Sequence, residues 1–219
     1  MWLISLLRHI DTRASLGDMT KSADISQAPQ TYEDYCVFIA NLHLPRYDEL
    51  PSIELYMDQL LTYLETLLRP FYPHDEKLIT SSMINNYVKK GIVPTPNAKR
   101  YAANHIAYLI AICLLKRSFS VQDMKQMLDI QVKTHELPNA YNFLCTTFEL
   151  SLQVAFNDEV SDATLDSWGM TYTEGSGLVL SPETVDYLTP VRRLALSSVS
   201  CAASKIYVEK SVEYATWEH

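Results

Sequence analysis

Residues 80–128 read TSSMINNYVKKGIVPTPNAKRYAANHIAYLIAICLLKRSFSVQDMKQML, and this stretch decides the fold class. Thr80 can cap a helix that runs to about Lys90 and stops at Gly91, a residue suited to the left-handed position after a helix end. Met83, Ile84, Tyr87 and Val88 recur at i, i+1, i+4 and i+5, so they make one apolar stripe destined for the core. The opposite face carries Ser81, Ser82, Asn85, Asn86, Lys89 and Lys90. Residues 92–101 cannot continue the helix, because Pro94 and Pro96 lack the N–H and clash with the preceding turn. Short extended pieces around residues 95–98 are expected to form a small hairpin, with Lys99 and Arg100 on its returning arm. Residues 103–116 are apolar nearly all round, the pattern of a central buried helix. Ser120 with Asp123 three residues on starts another helix, with Val121, Met124, Met127 and Leu128 facing inward.

Working outward, helical signals continue in both directions. Thr31, followed by Glu33 and Asp34, opens a helix with Tyr35, Phe38, Ile39 and Leu42 on one face. Pro45 and Pro51 bracket a connector, and residues 53–68 then show helical spacing up to the stop at Pro70 and Pro73. Towards the C-terminus, residues 138–156 carry Tyr141, Phe143, Leu144, Phe148, Leu152 and Phe156. Residues 157–177 read as irregular, with room for a short helix or extended turns, and Pro182 marks a helix start. A long helix follows Pro190 to about Tyr214, rich in small residues such as Ala195, Ser198, Cys201, Ala202 and Ser204. Residues 20–30 read as loop.

The 219 residues, 47% hydrophobic and 20% charged, have the composition of a globular protein with a real core. No Walker-type run or G-x-G-x-x-G occurs, and Gly175-Ser176-Gly177 opens no phosphate cradle. Neither G-x-S-x-G nor H-E-x-x-H is present, so no catalytic residues are assigned and the protein is not expected to be an enzyme. Cys36, Cys113, Cys145 and Cys201 lie far apart with no His at ligand spacing, so neither a metal nor another cofactor is expected. The longest apolar run, residues 106–115, is about half a membrane span. Residues 1–8 are apolar over too short a length for a signal peptide, which leads to the expectation of a cytoplasmic protein.

Charge is less even than its total. The net of −8 divides into +7 over residues 77–125, where eight basic residues face the single acid Asp123, and −15 elsewhere. A basic block in an acidic chain is the footprint of a local polyanion-binding face. Lys89 and Lys90 share a helix face with two Asn and two Ser, side chains that hydrogen-bond base edges and phosphates.

The order of capped helix, Gly91-Ile92-Val93-Pro94, basic arm Lys99-Arg100-Tyr101, then Phe119-Ser120-Val121 before the next helix, resembles a MerR-type winged helix-turn-helix. In that resemblance Met83-Ile84-Asn85-Asn86-Tyr87 stands at the recognition helix. Asn85-Asn86 replaces the family's Arg-Tyr pair, and no long dimer-forming coiled coil is evident. MDQLLTYLETLL followed by LITSSMINNYVKKGIVPTPNAKRY is similar to a bacterial family known as a domain of unknown function. The resemblance implies a mainly α fold: a MerR-like winged helix-turn-helix core with a small β-hairpin wing, plus flanking helices. The expected organisation is an N-terminal helical extension (1–50), the winged domain (51–130), and an acidic helical region for dimerisation or effector sensing (131–219).

The functional expectation is a transcriptional regulator that binds double-stranded DNA, with no membrane partner. The 80–90 helix would read a major groove through Ser81, Ser82, Asn85 and Asn86. Lys89, Lys90, Lys99 and Arg100 would take phosphates, with Tyr101 at the wing base or on the backbone. Four such contacts imply a log–log salt slope of about −3.6. A homodimer suits this reading, because half-site readers gain specificity in pairs. The other reading is a non-enzymatic protein-interaction module on a degenerate winged-helix scaffold, which would show exposed apolar residues on the same face. Tyr87 and Cys113 are expected in the core, His105 as a satisfied packing residue, and Lys116 and Arg117 at a helix C-terminus.

Overall fold

The computed structural model describes residues 29, 31–73, 75–156, 170–173, 177–180 and 190–214. The expected 20–30 loop, apart from Pro29, the apolar start at 1–8 and the helix start at Pro182 lie outside them. Seven α-helices are found among these residues: α1 Tyr32–Ala40, α2 Met57–Leu68, α3 Ser81–Lys89, α4 Ala103–Leu115, α5 Val121–Thr134, α6 Leu137–Phe156 and α7 Pro190–Tyr214. Two 3-10 turns, Tyr47–Glu49 and Arg69–Phe71, flank α2. An antiparallel strand pair, β1 Met170–Thr173 with β2 Gly177–Leu180, lies within and just beyond the stretch expected to be irregular.

Helix boundaries follow local chemistry. Thr31 accepts from the Asp34 N–H while the Asp34 carboxylate accepts from the Thr31 N–H, a complete capping box. Ser120 caps α5 by accepting from the Asp123 N–H at 3.2 Å. The expected helix over 53–68 starts only at Met57, because Leu55 spends its N–H and C=O on Tyr101, at 2.9 Å each. A residue paired on both sides with a distant strand has no groups left for a helical turn.

α4 is the centre of the molecule. Ten of its thirteen residues, from His105 to Leu115, are buried. α2 packs on it through Leu60, Leu64 and Leu68, each fully buried. α6 and α7 pack on each other and on α4, with Phe148, Leu152, Val199, Ala202 and Ala203 in the contact layer. One hydrophobic core thus runs from Tyr35 to Ile206 across all three expected segments. A buried ion pair ties its ends together: the Glu149 carboxylate on α6 accepts from both terminal nitrogens of Arg46, at 2.8 and 2.6 Å, and from the Leu44 N–H at 2.5 Å.

The helical class matches the expectation, but the β-hairpin wing over 92–101 does not form. In its place are two isolated bridges, Asn97↔Arg100 and Leu55↔Tyr101. The physical reason lies in the donors. Pro94 and Pro96 have no N–H to give a ladder, and beyond the single Asn97↔Arg100 bridge the returning arm pairs with Leu55, just ahead of α2.

Candidate nucleic-acid interface

α3 is held at both ends by its own sequence. Thr80 accepts from the Met83 N–H at 3.2 Å. At the other end Gly91 has φ +66°, its N–H donates to the Val88 carbonyl, and the Ile92 N–H donates to the Tyr87 carbonyl, both at 2.9 Å. These two bonds are the Schellman arrangement, which needs a left-handed residue after the helix end. Ile84 and Tyr87 are buried, with Met83 and Val88 half-buried against the same core. The opposite face is solvent-exposed throughout: Ser81, Ser82, Asn85, Asn86, Lys89 and Lys90.

Beyond Gly91 the chain turns back at 97–100. The Arg100 N–H donates to the Asn97 carbonyl at 2.8 Å, and Ala98 and Lys99 have φ of 47° and 60°. Two left-handed residues in succession are the φ signature of a type I′ turn. This turn exposes Lys99 and Arg100. Arg100 pairs with Glu54, Nε to Oε2, at 3.5 Å. Lys77, Lys89, Lys90 and Lys99 form no ion pair among the described residues. Lys125 on α5 bonds Asp129 at 3.0 Å and reaches the Gly91 carbonyl at 3.3 Å, bracing the end of α3.

Of the nine expected contact residues, eight are exposed and one is not. Tyr101 is 3% exposed, its ring stacked edge-on against His105 with centroids 5.8 Å apart. It anchors the base of the turn to the core, one of the two places expected for it. His105 is half satisfied: Nδ1 accepts from the Ala102 N–H at 3.0 Å, capping α4, while Nε2 is buried without a partner among the described residues. Lys116 follows α4 as expected and sits over the Tyr72 ring. Arg117 does something else, donating to the Phe71 carbonyl and pairing with Glu76 and Glu209, so it joins three elements.

Glu54 is the neighbour that the sequence did not announce. It lies outside the basic window and reaches Arg100 only through the Leu55–Tyr101 pairing, which no local pattern encodes.

No group of three or more potential metal ligands occurs among the described residues. None of the four cysteines forms a disulfide among the described residues, and burial pushes the Cys113 and Cys145 thiols up to about 12, away from nucleophilic character. A hollow of about 480 Å³ over Pro51, Leu55, Asp58, Gln59, Thr62 and Tyr63 is lined almost wholly by apolar atoms. Among the described residues no helix is long and apolar enough to cross a membrane.

No curated protein and no solved structure matches the chain. Residues 45–144, which take in α2 to α5, the exposed basic face and the beginning of α6, match the family described as Domain of unknown function (DUF1836).

Proposed function

We propose that the protein is a DNA-binding transcriptional regulator that meets duplex DNA with the outer face of α3 and the 97–100 turn. The observation that carries this is the exposed face itself. It presents two Ser, two Asn and two Lys on one side of a capped helix, beside a turn that adds Lys99, in a chain whose remainder is strongly acidic. α3 would enter a major groove, where Asn85 or Asn86 can offer adenine a bidentate amide. Lys89, Lys90 and Lys99, which form no ion pair among the described residues, would neutralise phosphates. Three such contacts set a salt slope of about −2.7. One face alone gives modest affinity, so the reading favours action as a dimer, in the cytoplasm of a bacterial cell.

The protein-interaction reading is favoured by Ile53 and Tyr56, 69% and 60% exposed next to the Leu55–Tyr101 bridge. Against it, no large apolar side chain is exposed on α3, where a partner surface of that kind would need one. The deciding experiment is fluorescence anisotropy with a random duplex pool over a salt series. Wild type is compared with a Lys89→Glu, Lys90→Glu, Arg100→Glu variant of native circular dichroism. Salt-sensitive binding lost in the variant is expected. A folded wild-type protein that fails to bind at micromolar concentration and low salt refutes the reading.

A further inference from the structure

Arg100 differs from the other cations of this face. Lys89, Lys90 and Lys99 have no carboxylate partner among the described residues, whereas Arg100 is held by Glu54 at 3.5 Å. That carboxylate comes from outside the basic window, whose single acid, Asp123, is bonded to Ser120. The juxtaposition is fixed by main chain. Leu55 and Tyr101 exchange both N–H to O bonds at 2.9 Å, and both side chains are buried. Alternation then turns residues 54 and 100 outward together, on a diagonal that long side chains span.

The ion pair is not needed for the fold. Its side chains are 46% and 40% exposed, and pairs of that kind add little to stability. The Leu55–Tyr101 bonds hold the two segments in register with or without it. What the pair does change is the charge presented by the turn. A carboxylate and a phosphate oxygen are the same kind of acceptor for a guanidinium, and a phosphate that takes the Arg100 Nε–H must displace the carboxylate from it.

Resting on the DNA-binding reading above, we infer that Glu54 is an internal competitor for the phosphate position of Arg100, so that the protein holds one of its four interface cations in reserve. While the Glu54 carboxylate holds Arg100, phosphate contact at the turn is left to Lys99. The withheld cation lowers affinity and removes one counterion from the salt dependence. Glu54 is a tuning residue that acts through Arg100 and does not itself touch the nucleic acid.

The test is a double-mutant cycle of wild type, Glu54→Gln, Arg100→Gln and the double variant, read by anisotropy on a fluorescein-labelled random duplex from low to moderate salt. Glu54→Gln is expected to bind about threefold to fivefold tighter than wild type. Its salt slope should steepen by about 0.9, to about −3.6. In the Arg100→Gln background the same substitution should change binding by less than about twofold. Equal binding and equal slope for Glu54→Gln and wild type overturn the inference while leaving the DNA-binding reading intact. An undiminished gain in the Arg100→Gln background also overturns it, since Glu54 would then act by direct repulsion. If neither wild type nor Glu54→Gln binds, the functional reading fails with it.

Discussion

Two substitutions at opposite ends of the 91–100 segment should change stability in opposite directions. Gly91 has φ +66°, and a Cβ built on it would meet nothing within 4 Å. Gly91→Ala therefore tests backbone handedness with no steric term. A left-handed conformation costs an L-residue about 1–2 kcal/mol, and alanine recovers about 0.4–1 kcal/mol by restricting the unfolded chain. The net is a destabilisation of about 0.5–1 kcal/mol. Ala98, at φ 47°, already bears that cost, so Ala98→Gly reverses the signs and should stabilise by about 0.5–1 kcal/mol. For a chain of this size each kcal/mol moves Tm by about 2–4 °C. Urea titration gives the cleaner reading, with Cm shifting down for Gly91→Ala and up for Ala98→Gly at unchanged slope. A neutral Gly91→Ala, or an Ala98→Gly that lowers Cm, would refute the left-handed assignment and with it the turn that presents Lys99.

Further outcomes follow from burial and charge. Glu149→Ala leaves the Arg46 guanidinium and the buried Leu44 N–H without their acceptor and should cost about 2–4 kcal/mol in chemical denaturation. A loss under about 1 kcal/mol would mean that the pair does not join the 44–46 segment to α6. Cys113 and Cys145 are held near 12 by burial, while an unfolded thiol ionises near 9. Above pH 9 the unfolded chain then binds fewer protons than the native one, and stability falls with rising pH by about 1.4 kcal/mol per unit for each thiol. Thermal melts between pH 8 and 11 should show the decline, shallower in a Cys113→Ala, Cys145→Ala variant; an unchanged slope there would remove the thiols as its cause. Native thiol titration at pH 8 should label the exposed Cys201 first and leave Cys113 and Cys145 protected until urea is added. Rapid labelling of all four would contradict the packing of α4 and α6.

Much of the candidate site was legible because its signals are local. Thr80 and Gly91 mark the ends of α3 through side-chain and backbone chemistry confined to three or four residues. The 3.6-residue period separates Ile84 and Tyr87 from Asn85, Asn86 and Lys89 whatever surrounds the helix. The misreadings share one origin. The wing and the early start of α2 both failed at the Leu55–Tyr101 pairing. It joins positions far apart in the chain, and neither segment carries a pattern that specifies the other. Arg117 went the same way: the dipole argument placed it correctly after α4 but could not foresee Phe71, Glu76 and Glu209 around it.

The amino-acid sequence by itself determined the helical class, the burial of α4, the capped ends of α3 and the segregation of positive charge into residues 77–125. Each is a property of composition or of neighbours within a turn or two. Tertiary structure alone decided that the 92–101 segment turns back through left-handed residues 98 and 99 and bonds residue 55 through Tyr101, and that Arg100 meets Glu54. It also decided that the C-terminal helices share one core with the basic domain. Such choices turn on which distant backbone groups remain free to pair once the prolines have removed the local option, and that is settled only when the chain is folded.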